Sequence, residues 1–279
     1  MNQLSEITID IKQFRVQVES DIHLEMHLHP PRLSVAAEVL CLCGDIGYPS
    51  HPSYRKFLVS CSMLFRWVFL IAGNHEYYHN TSPISETAAL IAEIVSEIPN
   101  MTFLDNTSVV VNYGERQIRV FGTTLWSDTS ESGDICDYIN DYHKIHINCD
   151  GENKLVTTDA ITSLHIEARR SLQVETKRSD MPMIVMSHHL PSRKCVHPRY
   201  LTSEYDIPNC AYASNSDDLI TSPIICWVFG HSHYCTDSNI NGIRVVSNPM
   251  GYPGQFTGPY NSYFSANITK MLSGELPGK

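Results

Sequence analysis

Five short polar motifs of this chain carry side chains that can bind divalent metals and move protons. In chain order they are Asp21-Ile22-His23, Gly44-Asp45, Gly73-Asn74-His75-Glu76, His188-His189 and Gly230-His231-Ser232-His233. Carboxylates, imidazoles and an amide oxygen suit Mn²⁺, Fe²⁺, Zn²⁺, Co²⁺ or Ni²⁺ better than Ca²⁺ or a metal that prefers thiolates. The candidate ligands are Asp21, His23, Asp45, Asn74, His188, His231 and His233. Because this set is too large for one ion, the motifs predict a site for two divalent metals.

Each motif closely follows a short apolar run. The runs are FRVQVE, VLCLC, VFLIA, MIVM and CWVF, and IRVFG is a further run of the same kind. Segments of about four to eight residues that are rich in Val, Ile and Phe and bounded by Gly or polar residues predict buried strands. We therefore expect the motifs to lie at the carboxyl ends of strands, in loops that cluster at one edge of the sheets.

Two stretches between the apolar runs have helical periodicity. In SPISETAALIAEIVSEIPN, apolar residues recur at intervals of three and four, and Pro83 and Pro99 favour the start and the end of a helix. TTDAITSLHIEARRSLQVE predicts a second helix with one apolar face. Strands that alternate with helices predict an α/β sandwich.

Composition limits the partners and the location. The formal net charge is −10 and the isoelectric point is about 5.7, which disfavours non-specific binding to nucleic acid or to an anionic membrane. The apolar runs are too short to span a bilayer, and the N-terminal MNQLSEITIDIKQ lacks a basic region followed by an apolar one. Several of the nine Cys lie within apolar runs, as expected of buried reduced thiols. We expect a cytoplasmic protein that binds no membrane.

The chain length favours a single domain over residues 1–279. Within it, residues 127–153 form a polar segment rich in Asp and Asn that is difficult to assign to regular structure. A segment of that length is more often functional than idle, so we predict a loop or cap there.

The ordered set D-x-H, G-D, G-N-H-E, H and G-H-x-H resembles the calcineurin-like metallophosphoesterase superfamily. The strings SDIHLE, AGNHEYY, FGTTLWSD, SHHLPS and VVSNPMGYPGQ are similar to small, soluble bacterial members of it. The resemblance implies a four-layer αββα sandwich with two metals between the sheet edges. It assigns Asp21, His23 and His233 to one metal, Asn74, His188 and His231 to the other, and Asp45 to both.

The same resemblance implies a hydrolytic reaction. A hydroxide shared by the two metals would attack phosphorus, and no covalent phospho-enzyme would form. His75 would protonate the leaving oxygen or stabilise its charge, while Glu76 would fix the tautomer of His75 and raise its pKa. The predicted catalytic residues are therefore His75, Glu76 and Asp45.

We expect a small phosphorylated substrate, either a phosphodiester or a nucleotide-like phosphomonoester. Arg193 and Arg199 follow the His188-His189 motif, and a guanidinium suits a pair of phosphate oxygens. His189 and Tyr212 are further candidates for substrate contact. The metal pair, the preference between diester and monoester, and the oligomeric state stay open.

Two alternatives to this function stay open. One is a Ser/Thr phosphoprotein phosphatase, although GDIGYPS lacks the D-R-G element that those enzymes carry after G-D. The other is a non-catalytic metal-binding scaffold, although such members of the superfamily typically lose ligands or the histidine of G-N-H, and all of these are present here.

Overall fold

The structure is a computed structural model that describes residues 5–78, 81–130, 135–202 and 206–273. Its strands are, in chain order, β1 (Ser5–Thr8), β2 (Arg15–Glu19), β3 (Val39–Cys43), β4 (Trp67–Ile71), β5 (Met101–Phe103), β6 (Thr107–Tyr113), β7 (Arg116–Thr123), β8 (His146–Cys149), β9 (Glu152–Leu155), β10 (Met183–Ser187), β11 (Ile224–Phe229), β12 (Thr236–Ile240), β13 (Ile243–Ser247) and β14 (Ser265–Asn267). Its α-helices are α1 (Pro52–Leu64), α2 (Ile84–Ser96), α3 (Asp141–Lys144), α4 (Thr158–Arg178), α5 (Asp206–Tyr212) and α6 (Ile268–Leu272).

Two large sheets carry the fold. A seven-stranded sheet has the order β1-β6-β7-β10-β11-β13-β12, and a five-stranded sheet has the order β14-β2-β3-β4-β5. Strands β7, β10, β11 and β13 are parallel neighbours in the first sheet, as are β2, β3, β4 and β5 in the second. The carboxyl ends of these parallel strands therefore lie together at one edge of each sheet.

Three apolar clusters define four layers. The inner cluster fills the space between the sheets with side chains such as Val18, Cys41 and Val228. An outer cluster packs α1 and α2 on the five-stranded sheet, and another packs α4 on the seven-stranded sheet. The central strands are buried on both faces, which is why their sequences read as continuous apolar runs. The predicted αββα sandwich is confirmed.

The predicted helices are also confirmed. Helix α2 begins directly after Pro83 and ends before Pro99, and it buries Ile91, Ile94 and Val95. Helix α4 begins after Thr157, whose side-chain oxygen accepts a hydrogen bond from the backbone N–H of Ala160. That contact satisfies one of the free donors at the helix start.

The polar segment at residues 127–153 has more regular structure than its composition indicates. Its described part contains a 3₁₀ turn at Ile135–Asp137, the short helix α3 and the hairpin β8–β9, which extends to Leu155. Ile135, Tyr142 and Ile145 pack into the outer cluster beside α2, and His146 forms a β-bridge with Pro83. The segment is therefore anchored to the five-stranded side of the sandwich. Among the described residues, no helix is both long and apolar enough to cross a membrane.

Candidate metal centre

The first group of candidate ligands joins the ends of β2 and β11. Nε2 of His233 lies 2.9 Å from Nε2 of His23 and 3.3 Å from Oδ1 of Asp21. Asp21 and His23 are buried, and both carboxylate oxygens of Asp21 accept the backbone N–H of His231 at 3.0 Å. The motifs D-x-H and G-H-x-H, although distant in sequence, thus form one group of donors.

The second group joins the ends of β4, β10 and β11. Nε2 of His188 lies 3.0 Å from Oδ1 of Asn74 and 3.1 Å from Nδ1 of His231. His188 is fully buried, and its Nδ1 lies 2.8 Å from the carbonyl oxygen of Cys43. Because a carbonyl can only accept, Nδ1 carries a hydrogen, and Nε2, which faces Asn74 and His231, is the atom that can bind a metal once it is deprotonated.

Asp45 lies between the two groups. Its Oδ1 is 3.3 Å from Nε2 of His188, and its Oδ2 is 3.8 Å from Nε2 of His23. The backbone N–H of His75 also donates to Oδ1, at 2.8 Å. A carboxylate in this position can address both groups at once, as the resemblance implied for Asp45.

Much of this arrangement depends on unusual backbone geometry. Asp21, His23, Asp45, His231 and His233 all have positive φ, between 47° and 72°. Residues other than Gly adopt this left-handed region at a cost of about 1–3 kcal/mol each, and they do so mainly where the surrounding structure requires it. The backbone is therefore strained at five of the seven candidate ligands.

Two glycines provide the close approach of the strand ends. A Cβ on Gly73 would collide with the carboxylate of Asp45, and a Cβ on Gly44 would lie 2.6 Å from Nδ1 of His188. Gly44 also has φ of 85°, which only glycine adopts readily. The glycines of G-D and G-N-H-E are thus needed for space around Asp45 and His188.

The donor set fits a divalent metal. Nδ1 of His23 faces the carboxylate of Glu25 at 3.0 Å, and Nδ1 of His233 faces the amide oxygen of Gln255 at 2.6 Å. Both Nδ1 atoms therefore carry hydrogens, and the two Nε2 lone pairs face each other at 2.9 Å. Two facing lone pairs repel unless a cation or a shared proton lies between them. Imidazole and carboxylate donors arranged in this way suit the divalent transition metals.

The carboxylates and imidazoles of the centre shift one another's pKa values. Burial alone would raise the pKa of Asp45, but His188 and His75 hold it well below its usual value. In the opposite sense, burial would lower the pKa of His188, but Asp45 and Asp21 raise it to about 10. Without a metal, His188 therefore holds a proton that a metal has to displace.

The orienting partner of His75 differs from the prediction. Nδ1 of His75 lies 3.1 Å from Oε1 of Glu25, the same oxygen that faces Nδ1 of His23. Burial would lower the pKa of His75, but Asp45 and Glu25 outweigh it and raise that pKa. Burial would likewise raise the pKa of Glu25, but the two imidazoles lower it to about 2. Glu25 is thus the carboxylate that fixes the tautomer of His75.

The expectation that Glu76 fixes this tautomer is therefore wrong. The Glu76 carboxylate turns inward and accepts the backbone N–H groups of Gly73, Asp45 and Ile46 at 2.7–3.0 Å. It holds the G-D and G-N-H-E loops together. Glu76 does raise the pKa of His75, as predicted, but by less than Asp45 and Glu25 do. Glu76 is adjacent to His75 in sequence but bonds to the backbone of its own loop, including Gly73. Glu25, the partner of His75, follows a different strand, so adjacency in sequence does not reveal it.

Asn74 is held by the segment at residues 127–153. Its Nδ2 donates to Oδ1 of Asp141 at 2.9 Å and lies 3.0 Å from Oη of Tyr78. Tyr78 also donates a short hydrogen bond to Asp141. A carboxylate accepts but does not donate, so Asp141 fixes the orientation of the amide and directs Oδ1 of Asn74 toward His188. Sequence reasoning missed this role, since Asp141 lies in a separate polar segment.

A cavity of about 470 Å³ opens beside the two groups. Asp45, Asn74, His75, His231 and His233 line its floor, and Tyr212 lines its wall. Residues of the polar segment, Tyr138 to Asp141, form part of the opposite wall. The predicted place of Tyr212 beside a substrate site is therefore consistent with the structure.

Three other residues predicted to contact substrate, Arg193, Arg199 and His189, do not line this cavity. Arg193 and Arg199 are exposed and are not among the residues that line the cavity. Their side chains lie against Cys210 and the ring of Tyr200. A 3₁₀ turn at Arg193–Cys195 buries Cys195 and leaves the basic side chains outside. His189 is buried behind the centre, with its ring centroid 4.2 Å from that of His231, and burial lowers its pKa to about 3.

Comparison with known proteins places the chain in a family. No protein-family model matches it. It is 30% identical over 249 residues to "Uncharacterized protein L509" of Acanthamoeba polyphaga mimivirus, and this match covers 85% of the chain and 86% of that protein.

Solved structures share its architecture. Phosphopantetheinyl Hydrolase (PptH) from Mycobacterium tuberculosis aligns with a TM-score of 0.65 and 16% identity, over 88% of this chain and 94% of that one. The calcineurin-like phosphoesterase YfkN from Bacillus subtilis aligns with a TM-score of 0.43 and 13% identity, over 84% and 80% of the two chains. The chain therefore belongs to one family with the mimivirus protein and shares the fold of PptH, an αββα sandwich as the resemblance to the calcineurin-like metallophosphoesterase superfamily implied.

Proposed function

We propose that this protein is a metal-dependent hydrolase of phosphoric esters, acting on a small phosphodiester or phosphomonoester. The observation that carries the proposal is the position of Asp45 between two groups of metal donors, with His75 beside it at the floor of a cavity. The fold shared with PptH, a protein named as a hydrolase, supports this reading but does not choose the substrate.

Asp21, His23 and His233 would hold one ion, Asn74, His188 and His231 the other, and Asp45 would contact both. When bound, two divalent ions would stabilise negative charge on phosphoryl oxygens and lower the pKa of a water molecule enough for it to attack at neutral pH. We further propose that two ions are needed.

The residues around this centre have separate tasks. Glu25 accepts a hydrogen bond from Nδ1 of His75, which leaves Nε2 to exchange a proton with the leaving oxygen. Asp45 and Glu25 raise the pKa of His75 and so favour its protonated form, which proton donation requires. Asp141 keeps the oxygen of Asn74 directed at the second group. These tasks require no covalent intermediate.

The alternatives receive less support. In the part of the chain that the structure describes, no arginine lines the cavity, whereas phosphoprotein phosphatases hold phosphate with an arginine after G-D. A non-catalytic scaffold does not need His75 and its partner Glu25, which are both in place. A cytoplasmic location remains part of the proposal.

The test is hydrolysis of bis(p-nitrophenyl) phosphate and p-nitrophenyl phosphate by metal-stripped protein resupplied separately with Mn²⁺, Ni²⁺, Co²⁺, Zn²⁺ or Mg²⁺. We expect turnover with at least one metal and a loss of about 10²–10⁴-fold in His75→Ala. His29→Ala is the matched control, because His29 is exposed and does not line the cavity. Absence of turnover with every metal, in protein shown to bind two ions, would contradict the proposal.

A further inference from the structure

The wall of the cavity is rich in tyrosine and, among the described residues, carries no Arg or Lys, although the imidazole of His197 lines it. Five tyrosines line it: Tyr78, Tyr138, Tyr200, Tyr212 and Tyr252. The remaining lining side chains outside the metal centre are mostly neutral, such as Asn140, Asn209 and Gln255.

The nearest Arg and Lys side chains do not line the cavity, but two of them lie against tyrosine rings that do. Nζ of Lys194 pairs with Asp217 at 2.6 Å, and the guanidinium of Arg199 lies 5.6 Å from the ring centroid of Tyr200. Nζ of Lys144 lies 5.0 Å from the ring centroid of Tyr78, and Lys144 does not line the cavity. No Arg or Lys among the described residues is in a position to contact the phosphate directly, so the positive charge that meets it would come mainly from the ions at the floor.

This distribution of charge favours a phosphodiester over a phosphomonoester as the substrate. A phosphomonoester carries about 1.5 to 2 negative charges at neutral pH, and proteins commonly meet the additional charge with Arg or Lys. A phosphodiester carries one negative charge and has two ester arms that need neutral surroundings. A cavity whose walls are neutral above a cationic floor suits the diester.

Two tyrosines flank the centre on opposite sides. The ring of Tyr252 has its centroid 4.5 Å from that of His23, and the ring of Tyr212 has its centroid 4.7 Å from that of His231 at an interplanar angle of 31°. Each therefore stands over one group of candidate ligands. Tyr138 and Tyr200 also line the cavity; Tyr138 is 69% exposed, whereas Tyr200, at 38%, is as exposed as Tyr212.

Partly exposed rings in a concave wall provide flat apolar faces on which a second ring can stack. The volume of about 470 Å³ lies within the range of cavities that enclose a drug-sized ligand, so more than a phosphate group can enter. We propose that the substrate is a phosphodiester in which the arm that is not released carries a planar aromatic group, seated against Tyr138 and Tyr200. This inference rests on the proposed function and specifies its substrate class.

The test compares three esters that release the same p-nitrophenolate. They are p-nitrophenyl phosphate, methyl p-nitrophenyl phosphate and thymidine 5′-(p-nitrophenyl phosphate). We expect kcat/KM to be higher for the methyl diester than for the monoester, after each rate is divided by its rate in buffer. We expect the thymidine diester to exceed the methyl diester by at least about tenfold, the gain that stacking of one base gives.

Substitutions of one wall residue separate the two parts of the inference. Tyr138→Leu should raise KM for the thymidine diester several-fold and raise it less for the methyl diester, which has no aromatic arm. Tyr138→Arg adds the cation that the wall lacks, and it should increase the rate on the monoester relative to the methyl diester. Tyr263→Leu is the control, since Tyr263 is 67% exposed and lies outside the cavity lining.

The outcomes are distinct. Preference for the monoester would overturn the argument from charge, and equal rates on the two diesters would overturn the aromatic arm, while both results leave a phosphoric ester hydrolase standing. If no metal supports turnover of any of the three esters, the proposed function fails and the substrate class fails with it.

Discussion

Oε1 of Glu25 lies 3.1 Å from Nδ1 of His75, although 50 positions separate the two residues. The contact joins the loop after β2 to the loop after β4, directly beside Asp45. A carboxylate in this position fixes which imidazole nitrogen carries a hydrogen and favours the protonated ring.

Glu25→Gln should impair catalysis more than substrate binding. The substitution keeps the size of the side chain but removes its charge, so the pKa of His75 should fall. Because proton donation requires protonated His75, the alkaline limit of activity should move to lower pH, and kcat should fall by about 10–100-fold. Steady-state kinetics over a pH series measures both effects. Glu86→Gln, at an exposed position of α2, is the control. An unchanged kcat and pH profile in metal-replete protein would show that Glu25 has no such role.

Asp141→Asn should weaken one metal site selectively. The neutral amide no longer dictates the orientation of Asn74, whose oxygen then loses its fixed direction toward His188. We expect affinity for the second ion to fall by about 10–100-fold and affinity for the first to change little. Titration with Mn²⁺, followed by calorimetry and by metal analysis, resolves the two events. Tyr78→Phe, which removes only the hydroxyl contact, should have a smaller effect. Two ions bound as tightly as in the wild type would count against the role of Asp141.

Metal binding should release protons and tighten as pH rises. Asp45 and Asp21 raise the pKa of His188 to about 10 in the metal-free centre, yet a metal ligand has to be neutral imidazole. Affinity for Mn²⁺ should therefore increase between about pH 6 and about pH 9. Calorimetry in buffers of different ionisation enthalpy counts the released protons. Affinity that is independent of pH, with no proton release, would contradict this coupling.

His165 should make stability depend on pH away from the metal centre. It is buried on α4, its Nδ1 lies 2.9 Å from the carbonyl oxygen of Leu125, and burial lowers its pKa. The unfolded chain binds a proton at this position near pH 6.5 while the folded chain does not, so its contribution to stability is lost as pH falls below that value.

His165→Gln tests this sign, because Gln retains a donor for Leu125 and cannot titrate. The Tm of the wild type minus the Tm of the variant should decrease by about 2 °C or more when the pH falls from 7.5 to 5.5. Thermal unfolding of metal-stripped protein at both pH values measures the difference. If the Tm of the wild type minus that of the variant instead increases as the pH falls, the sign is wrong.

The sequence was sufficient for the ligand motifs because their geometry follows from strand topology. Parallel strands end at one edge of a sheet, so polar residues that follow buried apolar runs have to meet there. The runs before Asp45 and Asn74 were recognisable since strands buried on both faces lack alternation. The same argument predicts that His188 and His231 lie close together, and Nε2 of His188 is 3.1 Å from Nδ1 of His231.

Contacts made across separate loops could not be predicted in this way. Glu25 and Asp141 act on residues 50 and 67 positions away, and no periodicity or motif links the partners. Arg193 and Arg199 lie in two separate 3₁₀ turns, Arg193–Cys195 and Pro198–Tyr200, and a count of nearby charges does not reveal that both side chains are exposed. Proximity in sequence therefore misassigned both the partner of His75 and the cations of the substrate site.

At five candidate ligands, the left-handed backbone lowers the stability of the fold at residues that are needed to bind metal. Gly adopts such φ values without strain, so His233→Gly should remove a ligand and at the same time relieve strain at a partly exposed loop position. The metal-free variant is then expected to unfold at a temperature no lower than the metal-free wild type, although the centre has lost a ligand. In this loop, the substitutions that best relax the chain are the ones that destroy its chemistry, and a screen for thermostability alone would select against the metal site.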